Sequence, residues 1–117
     1  MSPEERAGVL ALVRAGHVAQ ARELCAALGG GLDLRGADLR GLKFSGDDLQ
    51  GANLSGSNLS NQDLRMCDLR GANLRGADLW SADFSGANLR GADFTGSNGL
   101  WACFLGTDTT GAIGVDS

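Results

Sequence analysis

The sequence predicts a solenoid, a stack of short repeating units rather than a globule of long helices or strands. Three observations carry that expectation. From Leu34 to Phe94 a Leu or Phe stands at every fifth residue: Leu34, Leu39, Phe44, Leu49, Leu54, Leu59, Leu64, Leu69, Leu74, Leu79, Phe84, Leu89 and Phe94, thirteen in succession. A period of five fits neither the roughly 3.6-residue period of a helix nor the two-residue alternation of a strand, so a shorter closed unit must be repeating. The position two after this centre is Gly in ten of the thirteen units. Residues 1–30 have a different texture, with apolar residues at helical spacing and no five-residue rhythm.

The chain opens on a helix start. Ser2-Pro3-Glu4-Glu5 offers Ser as N-cap, Pro at the first helical position and Glu three residues after the cap to close a capping box. Both acids suit the positive field of a first helical turn. Val9, Leu10 and Val13, then Leu24, Cys25 and Leu28, recur at helical spacing; Gly16 interrupts, and Gly29-Gly30-Gly31 stops the pattern. Two short helices are expected, about residues 3–15 and 18–28, forming a hairpin over residues 1–30. Helices this short rarely stand alone. Their expected task is to cover the first open end of the solenoid core; a partner-binding hairpin is the functional alternative. Glu4, Glu5 and Glu23 balance Arg6, Arg14 and Arg22, so the segment is neutral.

Within the repeat, the position two before each centre is mostly small (Ala37, Ala52, Ala72, Ala77, Ala82, Ala87, Ala92), and the position just before the centre is nearly always Asp or Asn. Stretches such as Gly71-Ala72-Asn73-Leu74-Arg75-Gly76-Ala77-Asp78-Leu79 resemble the pentapeptide-repeat family, whose consensus is A-[D/N]-L-x-x. The resemblance covers about residues 31–98 and extends weakly to 105. It implies an all-β solenoid, a right-handed quadrilateral β-helix with one pentapeptide per side and four per coil. Here that means about 3.5–4 coils over residues 31–105, between the short N-terminal α-helical cap and a C-terminal tail, 106–117.

Elementary packing agrees with that shape. The centre and the small residue two before it point inward, large beside small, and fill a narrow bore. Burying each Leu or Phe contributes roughly 1.5–3 kcal/mol. Gly two after the centre supplies the positive φ that a type II turn requires. Asn61 can also adopt it, whereas Met66 and Ser81 fit it less well, so their corners are expected to use a different turn. Twenty residues per coil place residues twenty apart at one strand spacing, about 4.8 Å. One expected column is Asp38, Asn58, Asp78, Asn98; another is Asp33, Asn53, Asn73, Asp93. The mixing of Asp with Asn dilutes like charge and lets amides bridge. Lys43, Asp63, Asp83 and Cys103 make the poorer column.

Several positions break the pattern. Asp47 and Gln62 occupy inward positions where a small residue is expected; each is expected to loosen the coil locally or bond nearby backbone, with a small polar pocket as the functional alternative. Trp80 stands where outward polar residues belong, and Leu100, Trp101 and Leu105 follow. These four residues are the candidate interface, since exposed apolar patches mark contacts. Either the tail folds back over them or they form an end-to-end homodimer contact, a mode that the resemblance places at the C-terminal coil. The rhythm fails at Gly99 and returns once at Phe104.

Composition narrows the function. The formal net charge of −4 in 117 residues argues for neither membrane nor nucleic-acid binding. The N-terminus lacks a basic n-region, and its longest apolar run, Val9 to Val13, is too short for a signal-peptide core or a membrane span; a soluble cytoplasmic protein is expected. Cys25, Cys67 and Cys103 form no C-x-x-C pair, so neither a disulfide framework nor a zinc motif is indicated, and a buried apolar role is expected for them. His17 is the only histidine and is expected to cap or face solvent. No catalytic grouping, phosphate loop, metal cage or cofactor site is indicated. The expected function is a non-enzymatic protein-interaction or scaffold module with a protein partner whose identity the sequence does not give. The alternative is mimicry of DNA toward DNA gyrase, which some relatives in the resembling family bind. Residues 31–105 carry nine acids and seven bases, far from the one charge per 1.7 Å or so of duplex DNA.

Overall fold

The computed structural model describes residues 1–115; Asp116 and Ser117, the end of the expected tail, lie outside the described residues. Helix α1 (Pro3–Arg14) is followed by α2 (Val18–Ala27). The Glu5 amide donates to Ser2 Oγ at 3.1 Å and the Ser2 amide donates to Glu5 Oε1 at 2.7 Å, which closes the capping box. Gly16 and Gly29 take positive φ just past each helix, where the chain must turn away. Val9, Val13, Val18, Ala21 and Cys25 are buried and join one continuous core with the coil.

Parallel bridges then link residues twenty apart. Asp33, Asn53, Asn73, Asp93 and Ile113 form one run, so the register advances four turns of twenty residues. The other runs are Asp38–Asn58–Asp78–Asn98, Lys43–Asp63–Asp83–Cys103 and Asp48–Asp68–Asn88–Asp108. Each bridge is a single residue wide, because a corner consumes the rest of each quintet. The Leu54 amide donates forward to the Asn73 carbonyl at 2.7 Å, while the Asn53 amide donates back to the Leu32 carbonyl at 2.8 Å. At each corner an i to i+3 bond closes the turn, as from the Ala77 amide to the Leu74 carbonyl at 3.1 Å. Every centre from Leu34 to Phe94 is buried. Phe84, Phe94 and Phe104 pack together in the bore near the C-terminal end, with centroids 5.2–6.2 Å apart.

One expectation is corrected and another is narrowed. Met66 (φ 61°) and Ser81 (φ 56°) keep the left-handed corner conformation and do not use another turn. Their amides donate to the carbonyls of Ser85 and Leu100 in the next coil, both at 3.0 Å, and this ladder holds them despite an intrinsic cost of roughly 1–2 kcal/mol each. Bridging also runs past Leu105, to Asp108 and Ile113. The ladder needs backbone groups rather than a Leu centre, so residues up to Ile113 continue the coil; of the two expectations for the tail, a ragged added strand or a mobile end, this agrees with the first.

The N-terminal edge is held by arginines. Arg6 Nη2 donates to the Arg35 carbonyl, Arg14 Nη2 to Asp38 at 3.5 Å and Arg22 Nη1 to Gln50 at 2.8 Å. Twenty residues on, the equivalent carbonyls of Ser55, Asn58 and Arg70 accept from amides of the preceding coil. The guanidinium groups thus stand in for a coil that is not there, and they blunt an edge that would otherwise offer its carbonyls for pairing.

Candidate interaction surface

The Asp or Asn before each centre has a local task. Its Oδ1 accepts the backbone amide two residues on, from Asp33 with Arg35 (3.2 Å) through Asn53 with Ser55 (3.1 Å) to Asp108 with Thr110 (3.0 Å). This explains the preference for either residue at that position: both offer an acceptor at the same distance, as in Asx turns. Within these Asp and Asn columns a side-chain amide bridges coils only once among the described residues, from Asn98 Nδ2 to Asp78 Oδ1 at 3.4 Å. Dilution of like charge therefore accounts for less of the pattern than this local bond does.

The outward arginines neutralise the same carboxylates. Arg40 pairs with Asp38 at 2.7 Å, Arg65 with Asp63 at 2.9 Å, Arg70 with Asp68 at 2.7 Å and Arg75 with Asp93 at 3.0 Å. The hydrogen bond from Arg40 holds the Asp38 carboxyl down at about 2. The sides of the coil are mosaics of paired charge.

Of the two inward misfits, Asp47 sits beside α2. Asp47 is half-buried and faces a cavity of about 300 Å³ shared with Val18, Ala19, Arg22, Glu23 and Asp48. Burial pushes its carboxyl upward. Gln62 is 2% exposed; its Nε2 donates to the Leu42 carbonyl, and its Oε1 meets no partner. Cys67 donates to the Phe44 carbonyl at 2.7 Å, and burial, with a smaller push from the Asp47 charge, raises its thiol to about 11. Cys25 and Cys67 are buried as expected, but Cys103 is exposed, because it takes the outward position that Asp or Asn fills elsewhere. His17 is exposed at the N-cap of α2 and makes no side-chain cap bond. Among the described residues no group of three His, Cys, Asp or Glu side chains is placed to hold a metal, and no helix is long and apolar enough to cross a membrane.

The four candidate interface residues gather at the C-terminal end. Trp80 is 41% exposed, Leu100 59%, Trp101 74% and Leu105 76%, so residues 106–115 leave them largely uncovered, although Gly114 and Val115 reach the rim of the cavity that Leu100 and Trp101 also line. Trp80 and Leu100 stand on one side, beside the bridged pair Asp78 and Asn98. Trp101 turns the corner with φ 64°, an uncommon conformation for a bulky residue, and Leu105 lies on the next side. Next to them a cavity of about 420 Å³ opens over Leu79, walled by Phe94, Asn98, Leu100, Trp101 and Phe104. Its cause is Gly99. In that column Leu39, Leu59 and Leu79 plug the bore, and Gly99 has no side chain to continue them. The sequence signalled the missing centre; the cavity that results was not read from it.

The family described as pentapeptide repeats matches the chain in eight copies, over residues 30–56, 43–80 and 63–98. The chain belongs to the pentapeptide-repeat family, whose members form right-handed β-helices. Among solved structures, the pentapeptide repeat protein Rfr23 from the cyanobacterium Cyanothece 51142 is 34% identical with a TM-score of 0.67, over 69% of this chain and 56% of that one. HetL from the cyanobacterium Nostoc sp. strain PCC 7120, a pentapeptide repeat protein involved in heterocyst differentiation regulation, is 32% identical with a TM-score of 0.66, over 73% of this chain and 41% of that one. The matched part of this chain thus spans about half the length of these relatives or less. QnrB1, a plasmid-mediated fluoroquinolone resistance protein, is 22% identical with a TM-score of 0.38, a likeness too slight to bear on function. No significant match was found among curated proteins.

Proposed function

We propose that the chain is a non-enzymatic protein-interaction or scaffold module of the cytoplasm, a right-handed quadrilateral β-helix of about four coils that contacts its partner through the C-terminal end. The observation that carries this reading is the clustering of Trp80, Leu100, Trp101 and Leu105, all exposed, at one end of a coil whose other sides carry mostly paired charges, with Met66 and Ile113 as further exposed apolar residues. Contiguous apolar surface of this kind marks contacts, and aromatic residues are enriched at them. The opposite end carries a helical cap with arginines on its edge. Mimicry of DNA draws no support from the charge pattern, since the arginines lie against the aspartates on every side.

Crosslinking in the native cell tests the proposal, comparing the natural chain with Trp101→Asp and with a cap variant, Glu4→Gln. Adducts lost only in Trp101→Asp are expected. Adducts equally strong in all three would refute a contact at the C-terminal end. Molecular mass in solution then distinguishes a second copy from another protein: a dimer that becomes monomeric in Trp101→Asp is end-to-end self-association.

A further inference from the structure

The cavity at Gly99 and the carboxylate of Asp78 lie one coil apart, and Asn98 joins them: it walls the cavity and its Nδ2 donates to Asp78 Oδ1 at 3.4 Å. We propose that this is a socket for a segment of another protein, a segment that seats a Leu or Phe side chain in the cavity and directs a neighbouring Lys or Arg at Asp78. The inference rests on the interaction-module reading and assigns the chemistry of the partner.

The apolar half of the argument is the repeat itself. Every neighbouring centre inserts a Leu or Phe into the bore, and the position of Gly99 is the interruption. A Cβ added at Gly99 would meet nothing within 4 Å, so the space is open where a plug belongs. Among the described residues, the backbone amides of Gly99 and Trp101 find no carbonyl partner, so the rim can also donate to an incoming main chain.

The charged half is the absence of a cation at Asp78. The other outward aspartates of the described coil, at 33, 38, 48, 63, 68, 83, 93 and 108, each have an arginine within 4.0 Å. Among the described residues Asp78 accepts only from the Trp80 amide at 3.1 Å and from Asn98. A second copy is a poor source of the missing cation. Residues 91–117 hold Asp93, Asp108 and Asp116 and no Lys or Arg; the six arginines of the coil are engaged with their own aspartates, and Lys43, which forms no ion pair among the described residues, lies in the first coil at the opposite end. End-to-end copies would bring acid toward acid, which like-charge juxtaposition disfavours.

The only two tryptophans are Trp101, which walls the cavity, and Trp80, whose amide donates to Asp78, so their emission reports on the socket. The experiment titrates the full chain with a short tryptophan-free peptide of Leu and Phe flanked by Lys, and with the same peptide flanked by Glu. The lysine peptide is expected to give a saturable blue shift while the protein stays monomeric, and the glutamate peptide none. Asp78→Asn is expected to weaken binding roughly tenfold or more, as for loss of a hydrogen-bonded charge; Asn stands at the same position in Asn58 and Asn98, so the coil accepts it. Gly99→Leu is expected to raise the melting temperature and abolish the response, because the chain then fills its own socket. Three results would each overturn the proposal: no saturable shift with the lysine peptide, undiminished binding by Gly99→Leu or Asp78→Asn, or a dimer whose tryptophans are already buried. The last would leave the interaction-module reading standing with a second copy as the occupant, whereas adducts unaffected by Trp101→Asp in the crosslinking comparison would remove that reading itself.

Discussion

Leu74→Ala probes the bore at its middle. Leu74 is wholly buried in a column with Leu54 below and Phe94 above. Its flanking inward residues are Ala72 and Ala77, which are too small to move into the space left behind. The substitution removes a few buried carbons at about 0.8 kcal/mol each, or roughly 2–2.5 kcal/mol of transfer free energy. A cavity term at about 24 cal/mol per Å³ adds about 1 kcal/mol where the coil does not collapse. A rigid stack has little means of collapse, since each coil is tied to the next by its amide ladder. The expected loss is about 3–4 kcal/mol, a large share of the 5–15 kcal/mol or so that holds a domain together. Urea unfolding followed by far-ultraviolet circular dichroism measures it. Leu105→Ala, at a position 76% exposed, is the control and is expected to change stability by less than about 0.5 kcal/mol. A loss below about 1 kcal/mol for Leu74→Ala, or equal losses for both variants, would refute the packing argument on which that estimate rests.

Three further outcomes follow from the geometry. Ser81→Gly should stabilise the protein modestly, by a fraction of the roughly 1–2 kcal/mol that a left-handed L-residue costs, offset by the greater unfolded-state entropy of Gly; a lower melting temperature would contradict the φ of 56° at that corner. A thiol reagent should label Cys103 rapidly in the folded protein and reach Cys25 and Cys67 only on unfolding, so native stoichiometry above one thiol would be incompatible with the core described. Stability should fall in acid. The carboxyls of Asp38, Asp63 and Asp68 are lowered chiefly by side-chain bonds from Arg40, Arg65 and Arg70, and those of Asp93 and Asp108 by Thr95 and Thr110. A lowered folded-state value means that the stabilisation is complete above the unfolded value near 4 and is lost as pH drops through the folded values, toward about 2 for Asp38. Urea midpoints that stay level or rise between pH 5 and about pH 2 would contradict that linkage.

What could be read from the sequence was whatever repeats locally. The centres, the Ala positions and the Gly corners declare themselves by period, and Leu34 through Phe94 are buried as their spacing requires. The capping box was equally plain, because Ser2 and Glu5 are local in the chain. Three features were not fully legible. The arginines at 6, 14 and 22 looked like neutralising charges; their place on the edge carbonyls depends on how the helices dock, which no periodicity encodes. The extension to Ile113 lacks a Leu or Phe at position 109, where a centre belongs, although Gly106, Asp108, Gly111 and Ala112 keep the phase of the corner, Asp and small positions. The bonds from Asp and Asn side chains to the amide two residues on were hidden because the same residues also suggest stacking between coils. At the candidate interface, all four residues were identifiable as apolar residues in polar positions, while the cavity beside them needed the third dimension.

A chain that closes on itself every twenty residues brings backbone protons of successive coils within reach of nuclear Overhauser spectroscopy. Cross-coil contacts are expected at Asp33–Asn53, Asn53–Asn73, Asn73–Asp93 and Asp93–Ile113, with matching runs on the other three sides. Contacts at any other constant separation, or none beyond neighbouring quintets, would contradict that closure.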